Sequence, residues 1–130
     1  FFDGEDLEKS QLKLQSAIEL QPQESLYRFI GGLLALKSRN PKGALDAFTK
    51  CIELGHPHPE RLGSFHLWRG RALELNGMRT EAHEEYRVVL GMDSDPMVRK
   101  AALKGLKKKY SQKKANKIDI DFTFADVVGP

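Results

Sequence analysis

Apolar residues recur three and four positions apart along most of the chain, the spacing that lines one face of an α-helix. Leu7, Leu14, Ala17 and Ile18 predict a first helix, Leu33, Leu34 and Leu36 a second, and Leu45, Phe48 and Ile52 a third. Leu67, Leu73 and Leu75 predict a fourth, and Tyr86, Val89 and Leu90 a fifth. Asn40-Pro41 sets a capping side chain before a proline whose missing N–H is not needed in the first turn of a helix. Asp95-Pro96 repeats that signal ahead of a sixth helix running from about Met97 into the lysines. Gly55 and Gly77 stand where helices should stop. The gaps are short, so consecutive helices are expected to be antiparallel neighbours. After Lys117 the period becomes two: Ile118, Ile120, Phe122 and Phe124 alternate with Asp119, Asp121 and Thr123, which predicts an extended strand. A lone strand must dock, here along a groove of this molecule or of a neighbouring copy, or stay loose.

The helical pattern also repeats. Ala17-Ile18-Glu19-Leu20 recurs 34 residues later as Cys51-Ile52-Glu53-Leu54, and Ser10, Leu14 and Pro22 find Ala44, Phe48 and His56 at the same offset. Ala82, Tyr86 and Val89 form a further copy 38 residues beyond Ala44, Phe48 and Cys51, with the extra residues accommodated at His56-Pro57-His58-Pro59. Close helix packing needs small residues where backbones approach. Gly32 with Ala44, and Gly70 with Ala82, are expected to meet, with Phe48 and Tyr86 filling the space beside them.

These residues resemble the tetratricopeptide repeat (TPR) family, through Gly32…Ala44-x3-Phe48…Cys51, Gly70…Ala82-x3-Tyr86…Val89 and the Ala17…Pro22 end of an earlier unit, over roughly residues 5–96. The resemblance implies an all-α fold: a right-handed stack of antiparallel helix pairs, a TPR-like α-solenoid, with a C-terminal capping helix and an extended tail. Its implied divisions are repeats over 1–96 (a half repeat at 5–21, full repeats at 24–55 and 60–92), a basic capping helix or linker at 97–117, and an acidic, apolar tail at 118–130. Two and a half units are near the minimum of about three that such arrays need, so further repeats upstream, or an oligomer covering the edge near Phe1 and Phe2, are expected.

The family implies a noncatalytic protein-binding scaffold that holds a peptide or helix of a partner, or its own or a neighbouring tail, in a concave groove. Carried over by position, the groove residues are Leu26, Phe29, Leu33, Leu36 and Lys37 in one unit and Ser64, Leu67, Arg71, Glu74 and Leu75 in the next. Arg71 is the one cation where the chaperone-clamping members of the family use several polar and basic residues, and Phe29, Leu33 and Trp68 occupy the other places. An apolar anchor near Phe29 and Leu67 is therefore expected in place of a carboxylate clamp. The tail residues Ile118, Ile120, Phe122 and Phe124 are candidates for docking in the same groove.

With 130 residues, 30% charged and 40% hydrophobic, the chain has one domain's worth of globular composition. It opens at Phe1 and reads as a piece of a longer protein, and its lone Cys51 makes the cytoplasm the default compartment. The formal charge of +3 hides a strong asymmetry: residues 99–117 hold nine cations and no acid. Within it, Arg99, Lys100, Lys104, Lys107, Lys108 and Lys109 form a basic patch. Its leading reading is a solubilising cap; an acidic protein partner, and nucleic acid or an anionic membrane, are the alternatives. A further alternative is an accessory region of a larger enzyme.

No catalytic, metal or cofactor set emerges from the residue types. His56 and His58 lack zinc-site spacing, so a proline-stiffened loop is the simpler reading. Cys51 falls at a small-residue packing position far from its helix's N-terminus, which predicts a buried structural thiol. Gly31-Gly32 has no phosphate-loop context. His66 and His83 lie on helices with no evident partner, and Glu84-Glu85 is expected to be a solvated face.

Overall fold

Asn40 and Asp95 cap helices as their positions predict. The Asn40 side chain accepts the Gly43 N–H at 3.1 Å ahead of Pro41, and Asp95 accepts the Met97 N–H at 2.9 Å ahead of Pro96. The computed structural model describes residues 4–120, with side chains from residue 8 onward. It is all-helical: α1 (Gly4–Leu20), α2 (Ser25–Lys37), α3 (Pro41–Leu54), α4 (Pro59–Leu75), α5 (Arg79–Gly91), α6 (Pro96–Lys107) and α7 (Gln112–Asn116), with no strand among the described residues.

Two helix ends share one stop signal. After α2, Arg39 takes φ 62°, Asn40 N–H reaches Ala35 O at 2.8 Å and Arg39 N–H reaches Leu36 O at 3.2 Å. After α4, Gly77 takes φ 78°, Met78 N–H reaches Leu73 O and Gly77 N–H reaches Glu74 O, each at 2.9 Å. Both are Schellman caps, in which a left-handed residue turns the chain back on the last helical carbonyls. Glycine serves at the second; at the first an arginine holds a conformation that costs a residue with a Cβ roughly 1–2 kcal/mol.

Neighbours in sequence are neighbours in space, with α2 packed on α3, α3 on α4, α4 on α5, α5 on α6 and α1 on α2. One core runs through them, with Phe29, Leu33, Leu36, Phe48, Phe65, Leu73, Tyr86 and Val89 all closed to solvent. Phe29 anchors it, its ring lying 5.7 Å from that of Phe48, 5.6 Å from Phe65 and 6.5 Å from Trp68.

At both glycines the nearest atoms are led by the aromatic ring expected to fill the space beside the alanine. The nearest atoms to a Cβ at Gly32 belong to the Phe48 ring, and those at Gly70 are led by the Tyr86 ring, with Tyr86 Cε1 at 2.7 Å. A Cβ at Gly105 of α6 would meet the opposite edge of the same tyrosine, also at 2.7 Å. The small residues admit an aromatic ring; that is their packing role, and it explains why the glycine and the aromatic residue recur together.

The basic segment is two short helices, not one. α6 ends at Lys107, Lys108 is extended, and α7 starts after Ser111, whose side chain caps it. α7 packs on α2, bringing the C-terminal segment back across the molecule. Of the strand expected from Ile118, the described residues form none: Ile118 and Asp119 are irregular and Ile120 is helical. Ile118 N–H bonds Ala115 O at 3.1 Å, so a turn closing α7 takes up the backbone group that a strand would have left open. Phe122, Phe124, Phe1, Phe2 and the side chain of Leu7 lie outside the described residues. Among those described, no helix is long and apolar enough to cross a membrane.

Candidate functional site

The face formed by α2 and α4 carries every groove residue carried over from the sequence pattern, and it is not open. Phe29, Leu33 and Leu36 are fully buried, Leu67 is 3% exposed, and Ser64 and Glu74 are buried as well. Leu26, Lys37, Arg71 and Leu75 are half-buried. The expectation of an exposed apolar wall is therefore corrected. Phe29 and Leu67 belong to the core, and the chain's own segment from Tyr110 to Ile120 lies on the face they support. Tyr110, Ala115, Ile118 and Ile120 are all buried and join the same apolar cluster.

The segment is held at main-chain as well as side-chain atoms. Gln112 Nε2 donates to Leu36 O at 2.8 Å, a second donor on a carbonyl that already accepts the Arg39 N–H. Lys37 Nζ donates to Ile118 O at 2.7 Å and to Asn116 O at 3.1 Å. At the other end Tyr110 N–H donates to Glu74 Oε2 at 3.0 Å. The Tyr110 ring meets Trp68 edge-on at 6.3 Å, and the Arg71 guanidinium lies 4.5 Å from the Trp68 centroid and 4.8 Å from that of Tyr110. A cation between two π-faces is attracted by both quadrupoles, more so when shielded from water. Burial pushes the Tyr110 hydroxyl above its ordinary pKa, and Arg71 opposes that shift.

Glu74 joins these parts. Its carboxylate accepts from Arg79, from the Tyr86 hydroxyl and from Tyr110 N–H. Arg79 also donates to Gly105 O at 2.9 Å, tying the end of α6 to the same carboxylate. Burial, and then the hydrogen bond to Glu74, drive the Tyr86 pKa well up. A buried carboxylate is tolerable only when paired and fully hydrogen-bonded, and three donors meet that requirement.

The rest of the predicted chemistry falls into place around this face. Cys51 is buried, donates to Ser25 O at 3.3 Å, and burial pushes its thiol up to about 12, as befits a packed structural cysteine. Glu85 is not a solvated acid: it is buried, with His66 Nδ1 at 2.9 Å and Arg69 Nη1 at 3.6 Å, so His66 is partnered too. Tertiary register brings three polar residues of α4 and α5 together there, which helical spacing alone does not reveal. His83 is half-buried with Nε2 unpaired among the described residues, and Glu84 is exposed. His56 Nδ1 accepts the His58 N–H at 3.0 Å and its Nε2 faces Arg61, and burial lowers its pKa, followed by the charge of Arg61.

The basic patch divides. Arg99 is half-buried and donates to Leu90 O at 3.0 Å and Met92 O at 3.1 Å, so it caps the end of α5 and is not a free cation. Lys100, Lys104, Lys107, Lys108 and Lys109 are exposed. An open cleft of about 420 Å³ is lined by residues of α1, α2 and α3, Leu14, Ile18, Leu34 and Ala47 among them.

No protein-family model matches the chain, and comparison with curated proteins and with solved structures likewise finds no match.

Proposed function

We propose that the chain is a noncatalytic interaction module of the TPR type, a right-handed stack of helix pairs whose first helices, α2 and α4, line a concave wall that receives an extended or short helical segment of protein. The 38-residue correspondence of Gly32 with Gly70 and of Phe48 with Tyr86, in sequence and in packing, supports the repeat. One observation carries the functional reading: the wall holds such a segment already, residues 110–120 of the same chain, through an aromatic anchor, buried isoleucines and donors placed on main-chain carbonyls. Those are the means by which grooves hold peptides in general. The module thus carries its ligand in cis, and a partner segment of like character competes with it at an effective concentration set by the short connection from α6.

The test vacates the wall. A fluorescently labelled peptide of residues 108–120 is titrated into the intact chain and into a Tyr110→Ser, Ile118→Ser variant. Saturable binding to the variant, at least ten-fold tighter than to the unsubstituted chain, is the expected result. A variant that keeps its helical circular dichroism and binds no peptide would remove this reading.

A further inference from the structure

Beside the Arg71 stack lies a second, smaller cavity of about 60 Å³, and its walls are strongly cationic: Arg71, Lys104, Lys108 and Lys114 line it together with Tyr86 and Tyr110. A single water needs about 10–15 Å³ of such space, so this cavity accommodates a small polyatomic ion. No acidic side chain lines it among the described residues. Glu74, the nearest acid acting on these cations, spends its oxygens on Arg79, Tyr86 and Tyr110 N–H. Three separated parts of the chain, α4, α6 and the segment around α7, bring like charges to one place, an arrangement that stores repulsion until an anion enters. Lys114 registers it: its pKa is lowered by partial desolvation and then by Lys104, Lys108 and Arg71. Arg71 is the fixed element. Its guanidinium carbon lies over the rings of both Trp68 and Tyr110, no described residue takes a hydrogen bond from it, and a guanidinium fork suits the paired oxygens of a phosphate.

We infer that Arg71, Lys104, Lys108 and Lys114 form a binding site for one phosphate group, either free or carried as a monoester on a side chain of a partner peptide. The site requires the 110–120 segment to be seated, and does not depend on whether a partner ever replaces that segment. Four cations around a small cavity favour a dianion over a carboxylate. Trp68, the single tryptophan of the chain, stacks on Arg71 and reports occupancy.

The experiment titrates sodium phosphate into the intact chain at constant ionic strength, balanced with chloride, and follows Trp68 fluorescence. A saturable change is expected, with acetate giving none, and Lys104→Gln with Lys108→Gln should weaken phosphate at least ten-fold while leaving the circular dichroism unchanged, since both lysines are exposed. Arg71→Lys, which keeps the charge and loses the guanidinium fork, should weaken it as well. A phosphoserine hexapeptide and its unphosphorylated twin distinguish the source: tighter binding of the phosphopeptide than of inorganic phosphate assigns a partner's monoester, and equal binding assigns the free ion. A phosphate response no different from chloride, saturation by acetate at the same concentration, or unchanged affinity in the double variant would overturn the site.

Discussion

Gly32→Ala is a small substitution with a large expected consequence, because the helix position is occupied from the other side. An added Cβ would stand 2.5 Å from Phe48 Cζ and 2.8 Å from Cδ1, below the 3.0 Å that real Cβ contacts respect. The ring has nowhere to retreat: Phe48 is fully buried, 5.7 Å from the Phe29 ring and 6.3 Å from that of Trp68. Overpacking of a filled core costs about 1–3 kcal/mol, and a fully buried ring held against two others belongs at the upper end. Alanine returns about 1 kcal/mol of helix propensity, leaving a net loss of about 1–2 kcal/mol. Urea denaturation measures it, read as a lower midpoint at constant m-value. Gly91→Ala is the control, since nothing lies within 4 Å of its added Cβ, and it should be neutral or slightly stabilising. Adding Phe48→Leu to Gly32→Ala removes the obstructing ring, so the double-mutant cycle should show favourable coupling of about 1 kcal/mol or more. If Gly32→Ala were as stable as the unsubstituted chain, or if the cycle showed no coupling, the ring-on-glycine packing would be wrong.

Glu74→Gln should lower stability by about 2–3 kcal/mol, because it leaves its three donors, Arg79, the Tyr86 hydroxyl and Tyr110 N–H, facing an uncharged group; Tyr86→Phe, which removes one donor, should cost about 1 kcal/mol. Urea midpoints rank the two. Arg39→Gly should raise stability by about 0.5–1 kcal/mol, the left-handed strain relieved less the added freedom of the unfolded chain, checked by the thermal midpoint. Cys51 should resist thiol reagents until the protein is unfolded. Its thiol ionises near 9 in the unfolded chain and at about 12 when folded, so stability is complete below pH 9 and declines as the pH rises towards 12. Cys51→Ala should flatten that decline in a urea series against pH.

What the amino-acid order revealed divides along a physical line. Helix period, caps and stops are decided within a few residues, which is why Asn40-Pro41, Asp95-Pro96, Gly55 and Gly77 could be read directly. The kinship of Gly32 with Gly70 was legible for the same reason, and the atom nearest each glycine comes from the aromatic ring 16 positions on that the pattern places beside the alanine. Polar partnerships were not legible. Glu85 meets His66 and Arg69, and Glu74 meets Tyr110, only after α4, α5 and the C-terminal segment have docked. The row at Ile118 and Ile120 announced burial correctly but not conformation, since two apolar residues two apart fit a turn after α7 as well as a strand. The expectation of a docked tail named Ile118 and Ile120, which are buried in the same apolar cluster as Phe29 and Leu67, but not the start of the buried segment at Tyr110. Tyr110, a lone aromatic among lysines, was the local sign that the buried segment begins before Ile118.

The most direct measurement is a nuclear Overhauser spectrum of the intact chain in solution, read from the single indole. With the C-terminal segment laid on the wall of α2 and α4, Trp68 should show cross-peaks to the Tyr110 ring, whose centroid lies 6.3 Å away, and the Ile118 amide and methyls should be protected and dispersed. A Trp68 spectrum without Tyr110 cross-peaks, accompanied by random-coil shifts from residue 110 onward, would contradict the account.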